Sequence, residues 1–392
     1  MMRPRADDES IHLKPQIMKT ILKLLGCCLA LPVGLATADE PRQECLGRLT
    51  FGVPEEIEWA TFNAGRTMQI SEGGGHDFSD MVAARGDNAT YGEFGAVIYV
   101  SDEVERSMLD DVYGYRRGTS VLYQDYLKEQ LETEKRLVEQ FERDDDPESA
   151  AIWRKEVEQT REKISLALPT VHDLGIPDAY FVGSASAPGE AYIYRNNRVY
   201  AFFMRKAYAQ GKGKEAMLDM MSRFRPRELY EVPDESGVCI PYGFIADDGD
   251  AHYSVKNSLR FTATPNVVFS LVTASAHDPW DTHPKTGTYD TDYRPGFDAQ
   301  KWTFRRFVEP TYIGPHLAGM DGWRLDPIPG SGEQERGWFG LAKTGGLLSP
   351  LVAVQVFTFP KGTDDLTEFT PPPENVLPRW KALSETIEIR EN

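Results

Sequence analysis

The feature that most limits the fold is a charged, helix-patterned stretch from about residue 120 to residue 168, set between segments that read as short strands. Leu127, Leu131, Val138 and Phe141 fall on one helical face, and Glu132/Arg136 and Glu139/Arg143 stand at a supporting i,i+4 spacing. Asp144-Asp145-Asp146-Pro147 interrupts the stretch. Asp146 suits an N-cap and Pro147 the first position of a second helix, which carries Trp153, Val157 and Ile164. Two antiparallel helices are expected, as a solvated excursion or as a partner-gripping arm.

Strand patterns surround this hairpin. They run at Leu49 to Val53, Gly95 to Val100, Asp178 to Val182, and Ala191 to Arg205, the last folded back at an Asn196-Asn197 turn. Glu72-Gly73-Gly74-Gly75-His76 reads as a loop. Lys214 to Phe224 reads as a helix, and its Ala216, Met217, Met220 and Met221 stripe reads as core. Pro226, Pro233 and Asp234-Glu235 mark a boundary. Beyond it the chain opens at Gly237-Val238-Cys239-Ile240, with strands at Asn266 to Ala274 and Leu351 to Phe359. A short helix around Trp380 to Leu383 and a strand from Thr386 to Arg390 close it. The expected class is α+β, with two mainly antiparallel-sheet domains. Residues 39–232 form the first, with the helical hairpin at about 120–168 as an insertion, and residues 237–392 form the second.

Residues 1–38 read as an N-terminal extension and an export signal. Met18-Lys19-Thr20 and Lys23 precede an apolar run from Leu24 to Leu35 that closes on Ala36-Thr37-Ala38, the charged, apolar, small order of a cleaved signal peptide. Met18 is the expected start. A lipid on Cys27 is the alternative outcome. The run holds Pro32 and Gly34 and falls short of the roughly 20 apolar residues of a membrane span. Residues 1–38 carry five basic and three acidic side chains, so their removal takes the net charge from −18 to −20. That excess repels nucleic acid and anionic membranes and favours a basic partner, besides keeping the chain in solution. Of the four cysteines, Cys27 and Cys28 leave with the signal. Cys45 and Cys239 remain, and in an oxidising compartment a lone pair invites a disulfide, two separate buried thiols being the alternative.

Signatures of catalysis are sparse. Gly183-Ser184-Ala185-Ser186-Ala187 lacks the second glycine of a nucleophile elbow, and there is no phosphate-cradling glycine loop, CxxC or HExxH. His277, Asp278, Asp281 and His283 share one loop and have ligand chemistry, so a secreted metal-dependent hydrolase using the His277 to His283 loop is the alternative function. A long polar loop accounts for the same residues. Asp247-Asp248-Gly249-Asp250 lacks the ligand spacing of a calcium loop and reads as a solvated turn.

Three stretches resemble the periplasmic immunity proteins that guard against type VI secretion lipase effectors. Glu44-Cys45-Leu46-Gly47-Arg48-Leu49 followed by Phe51-Gly52-Val53-Pro54 is similar to the family's opening strand. Gly237 to Ile245, with Gly243, resembles the opening of its C-terminal domain, and Trp380 through Arg390 its closing helix and strand. Thr386 stands where the family usually has Ser, and a Gly319-Met320-Asp321-Gly322 turn lacks the acidic residue that commonly follows. The resemblance implies a periplasmic two-domain α+β protein that clamps a cognate secreted lipase-type effector by occlusion, without catalytic residues, cofactor, nucleic acid or membrane span. A periplasmic structural or adaptor protein with no toxin is the remaining reading.

Overall fold

The computed structural model describes residues 42–62, 87–276, 297–346, 349–363 and 366–390. In the first half of the chain the strands are β1 (Arg42–Leu46), β2 (Leu49–Val53), β3 (Ile57–Trp59), β4 (Asn88–Tyr91), β5 (Ala96–Glu103), β6 (Thr170–His172), β7 (Ala179–Gly183), β8 (Pro188–Arg195), β9 (Arg198–Phe203) and β10 (Phe224–Pro226). The second half supplies β11 (Gly237–Ile240), β12 (Gly243–Ala246), β13 (Tyr253–Phe261), β14 (Thr264–Ala274), β15 (Trp302–Ile313), β16 (His316–Pro327), β17 (Gly337–Thr344), β18 (Leu351–Thr358) and β19 (Glu388–Ile389). Among the described residues five helices join them: α1 (Ser107–Arg143), α2 (Pro147–Leu166), α3 (Arg205–Ala209), α4 (Gly213–Arg223) and α5 (Pro373–Ser384).

Thirteen of the described strands form one antiparallel sheet in the order β15-β16-β17-β18-β14-β13-β4-β5-β9-β8-β7-β6, with β3 also on β13. At its middle, β13 pairs with β14 on one edge and with β3 and β4 on the other, through Leu259 opposite Trp59 and Val255 opposite Ala89. Strands from both halves of the chain thus share hydrogen bonds. Two three-stranded sheets, β1-β2-β19 and β10-β12-β11, do the same, each drawing on both halves. The class is α+β and mainly antiparallel, as expected.

Local chemistry explains the parts. Asn196 and Asn197 take φ of 44° and 58°, the left-handed pair that a two-residue hairpin turn needs between β8 and β9. Asp146 caps α2 by accepting from the Ser149 amide at 3.0 Å, with Pro147 at the first helical turn. Val267 to Ala274 and all of β18 are buried on both faces, which gives unbroken apolar runs instead of alternation. Met217 and Met220 of α4 lie in the main core with Phe202 and Ile245, so the methionine stripe is core.

Several expectations are corrected. The helical hairpin begins at Ser107 and not near residue 120, because Gly114 and Gly118 stand on the exposed side of α1, where no packing is lost. Glu132 bonds to Lys135, three residues on, at 2.6 Å. Gly319 to Gly322 is no turn but the middle of β16: Gly322 lies so close to β17 that a Cβ there would stand 2.1 Å from the Phe339 carbonyl oxygen. The C-terminal helix starts at Pro373 and tolerates Pro378 inside it, and the closing strand shrinks to Glu388 and Ile389. The Glu72 to His76 stretch, the export signal and the His277 to His283 loop lie outside the described residues.

Candidate functional site

Residues from each of the three motifs meet around one disulfide. Cys45 of β1 and Cys239 of β11 are bonded, with Cα atoms 5.8 Å apart across a sequence separation of 194. Beside them Gly47 and Cys239 exchange backbone hydrogen bonds, amide to carbonyl, of 2.7 and 2.8 Å. Gly47 has φ of +59°, and a Cβ there would stand 2.2 Å from Thr273 Cγ2. Glycine is the residue that fits both demands.

Three arginines fasten this hub. Arg227, fully buried, pairs with the equally buried Glu44 at 2.6 Å and donates to the carbonyls of Cys45 at 3.0 Å and Ile240 at 3.2 Å. Glu44 also accepts from the amides of Cys45 at 2.8 Å and Tyr230 at 2.9 Å, so both charges are satisfied. Arg48 forms a second buried pair with Asp247 at 3.0 Å and donates to the carbonyl of Ala251 at 3.2 Å. Asp247 accepts in addition from Tyr91 Oη at 3.0 Å. It is therefore a buried partner and not part of a solvated turn. Burial, and then the Asp247 carboxylate, push the Tyr91 phenol well above its ordinary value.

Arg390 is the third. Its backbone amide bonds the Arg48 carbonyl at 2.9 Å, and its guanidinium donates to the carbonyls of Pro233 and Glu235 and lies 5.8 Å from the Phe244 ring centroid. Burial, then the neighbouring Arg48 and Arg227 charges, hold it below the usual arginine value. Gly243 sits in the β10-β12-β11 sheet opposite Ile240 and Pro226. Trp380 is fully buried in the main core, and Pro54 is exposed just after β2. Thr386 accepts from the Gly52 amide at 2.9 Å and donates to the Leu383 carbonyl at 2.8 Å. A serine hydroxyl would serve equally.

This assembly fastens the first, middle and last strands to one another. Among the described residues no group of three or more His, Cys, Asp or Glu side chains is placed to hold a metal ion, and no helix is long and apolar enough to cross a membrane. What the surface does offer is apolar area. On the β15-β16 ribbon, Val308 and Leu317 are 72% and 67% exposed, and Tyr312 sits opposite Leu317. On α1, Leu122 is 72% and Tyr126 60% exposed. Single exposed apolar residues are ordinary, but clustered ones mark contact surfaces. Sequence reading missed both: the ribbon because its glycines read as a turn, and the α1 face because Leu122 and Tyr126 stand away from the Leu127, Leu131, Val138 and Phe141 line that marked the helix.

Residues 231–286 match the model of the Tle cognate immunity protein 4 C-terminal domain. That stretch contains the Gly237 to Ile245 motif and the disulfide's Cys239, and the family is the one that the three motifs resemble. No curated protein matches the chain. Among solved structures, the chain is similar to the immunity protein TplEi of the T6SS from Pseudomonas aeruginosa complexed with an "L" peptide, at 13% identity and a TM-score of 0.44, over 91% of this chain and 100% of that one. It is also similar to a chain of the Tle4-Tli4 complex, at 13% identity and a TM-score of 0.43, over 90% of this chain and 98% of that one.

Proposed function

We propose that this chain is a periplasmic immunity protein that binds a lipase-type effector of a type VI secretion system and neutralises it by occlusion. One observation carries the reading. Of the stretch with the sequence pattern of the Tle cognate immunity protein 4 C-terminal domain, 231–286, the described residues 231–276 are fastened by the disulfide and by Arg48, Arg227 and Arg390 to the first and last strands. An opening motif, a family domain and a closing motif are thus physically one unit.

An inhibitor of this kind needs a complementary surface, roughly 800 Å² per partner, and no catalytic frame. Residues 39–232 and 237–392 both contribute to the grip, a reading supported by sheets that draw strands from both halves. Export follows from the signal at residues 1–38, and the periplasm is the oxidising compartment in which Cys45 and Cys239 stay bonded. Affinity capture with the product of the neighbouring effector gene tests the partner; N-terminal sequencing that begins at Asp39 tests the export route. An intact Met18 in the exported fraction contradicts the route, and failure to capture that effector contradicts the function.

A further inference from the structure

We propose that the outward face of α1 is the docking surface for the effector, and that it receives an apolar patch flanked by basic side chains. This rests on the immunity reading and assigns its contact to named residues.

The face follows from helical geometry. At 3.6 residues per turn, Tyr115, Gly118, Leu122 and Tyr126 lie along one line down the helix, with Asp111 above them and Glu129 below. All six are exposed. The opposite side of α1 is occupied: Leu109 and Val112 pack in a cluster with Tyr192 and Val199, Arg116 bonds Glu190 at 2.8 Å, and Gln124 donates to the Ile164 carbonyl of α2 at 3.4 Å. Tyr123 widens the outward face, its ring stacked on that of Tyr126 with centroids 6.4 Å apart. Gly118 has nothing within 4 Å of where a Cβ would stand, so a partner's backbone can come close there.

Aromatic rings at the centre and charge at the edges is the composition of a protein interface. The charge decides the occupant. Asp111 and Glu129 flank the apolar run, and the first basic residue further along the line, Arg136, stands about two turns beyond Glu129. Asp125 stands at its margin, paired with Lys128 at 2.8 Å. From Ser107 to Leu166 there are 15 Asp and Glu against 10 Lys and Arg. A second copy of this chain would bring the same acidic rim against itself, and an anionic bilayer would be repelled. A basic rim around an apolar centre is the complement.

The test uses the full-length mature protein and, as probe, the lipase-type protein encoded beside its gene. Leu122→Asp and Tyr126→Ala should each weaken binding about 30-fold, mainly through faster dissociation, with the thermal midpoint unchanged because both side chains are exposed. Asp111→Lys with Glu129→Lys should slow association several-fold at low salt, a difference that disappears near 0.5 M salt. Variants that bind within about 2-fold of the parent, while the parent still inhibits, overturn the docking proposal and leave the immunity reading intact. A parent that does not bind the probe overturns both. Loss of a self-associated species by Leu122→Asp, with effector binding unchanged, assigns the face to a second copy and also overturns the proposal.

Discussion

Replacing Arg227 by methionine tests the hub where its energetics are largest. The substitution keeps the unbranched apolar stem and deletes the charge that Glu44 holds at 2.6 Å, together with the hydrogen bonds to the carbonyls of Cys45, Ile240 and Glu231. Removing one partner of a buried ion pair costs about 3–5 kcal/mol. Glu44 keeps its two backbone donors, Cys45 and Tyr230, which places the expected loss near the lower end, about 3 kcal/mol. Urea unfolding without reductant, followed by two probes to check for a two-state transition, reads the loss as a shift in midpoint at constant slope. Glu44→Gln added to Arg227→Met should then cost less than the sum of the two single changes, by about 1–3 kcal/mol, because it removes the stranded carboxylate. A single variant within 1 kcal/mol of the parent, or strict additivity in the double, refutes the reasoning.

Gly47→Ala should cost about 3 kcal/mol, since the new methyl group meets Thr273 Cγ2 and the residue must keep φ at +59°. Thr273→Ala removes the nearer obstacle and leaves Tyr253 Cε2 at 2.9 Å, so in a double-mutant cycle read by thermal unfolding the pair should cost less than the sum of the two single changes. Cys45 and Cys239 should resist alkylation without reductant and react after reduction, and in the chain-entropy picture the closed loop of 194 residues contributes about 5 kcal/mol. Labelling of both thiols in the unreduced protein contradicts the bond. The Arg306 hydrogen bond holds the Asp321 carboxyl below the usual range. Its stabilisation is therefore complete above the unfolded carboxylate pKa, near pH 4, and is lost as pH falls through the lower folded value. Being partly exposed, it is worth about 0.5 kcal/mol or less, and Asp321→Asn should flatten the stability profile below about pH 4 by that amount.

Elements with local determinants were legible in the sequence. The Asn196-Asn197 turn, the Asp146-Pro147 helix start and the Met217 and Met220 stripe each depend on neighbours within four residues, and each is found where expected. What escaped depends on distant partners. Arg227 and Glu44 lie far apart in the chain, and nothing near either names the other. Asp247 looks solvated among Asp248, Gly249 and Asp250 until Arg48 and Tyr91 are placed against it. Gly322 reads as a turn residue, whereas its missing side chain makes room for the Phe339 carbonyl of the next strand. The part of α1 before residue 120 was hidden for a different reason: Gly114 and Gly118 lower helix propensity without ending a helix whose buried side is packed by Leu109 and Val112. The cysteine pair was readable because Cys45 and Cys239 each sit in a motif that opens one half of the chain.

The central claim is neutralisation by direct binding, and a titration of effector lipase activity against the purified protein tests it most directly. Inhibition complete near one equivalent is the predicted result, with the inhibited effector recovered in a complex with this chain. Full activity at several equivalents contradicts the account, and so does inhibition at far below one equivalent, which would make the protein an enzyme acting on its target.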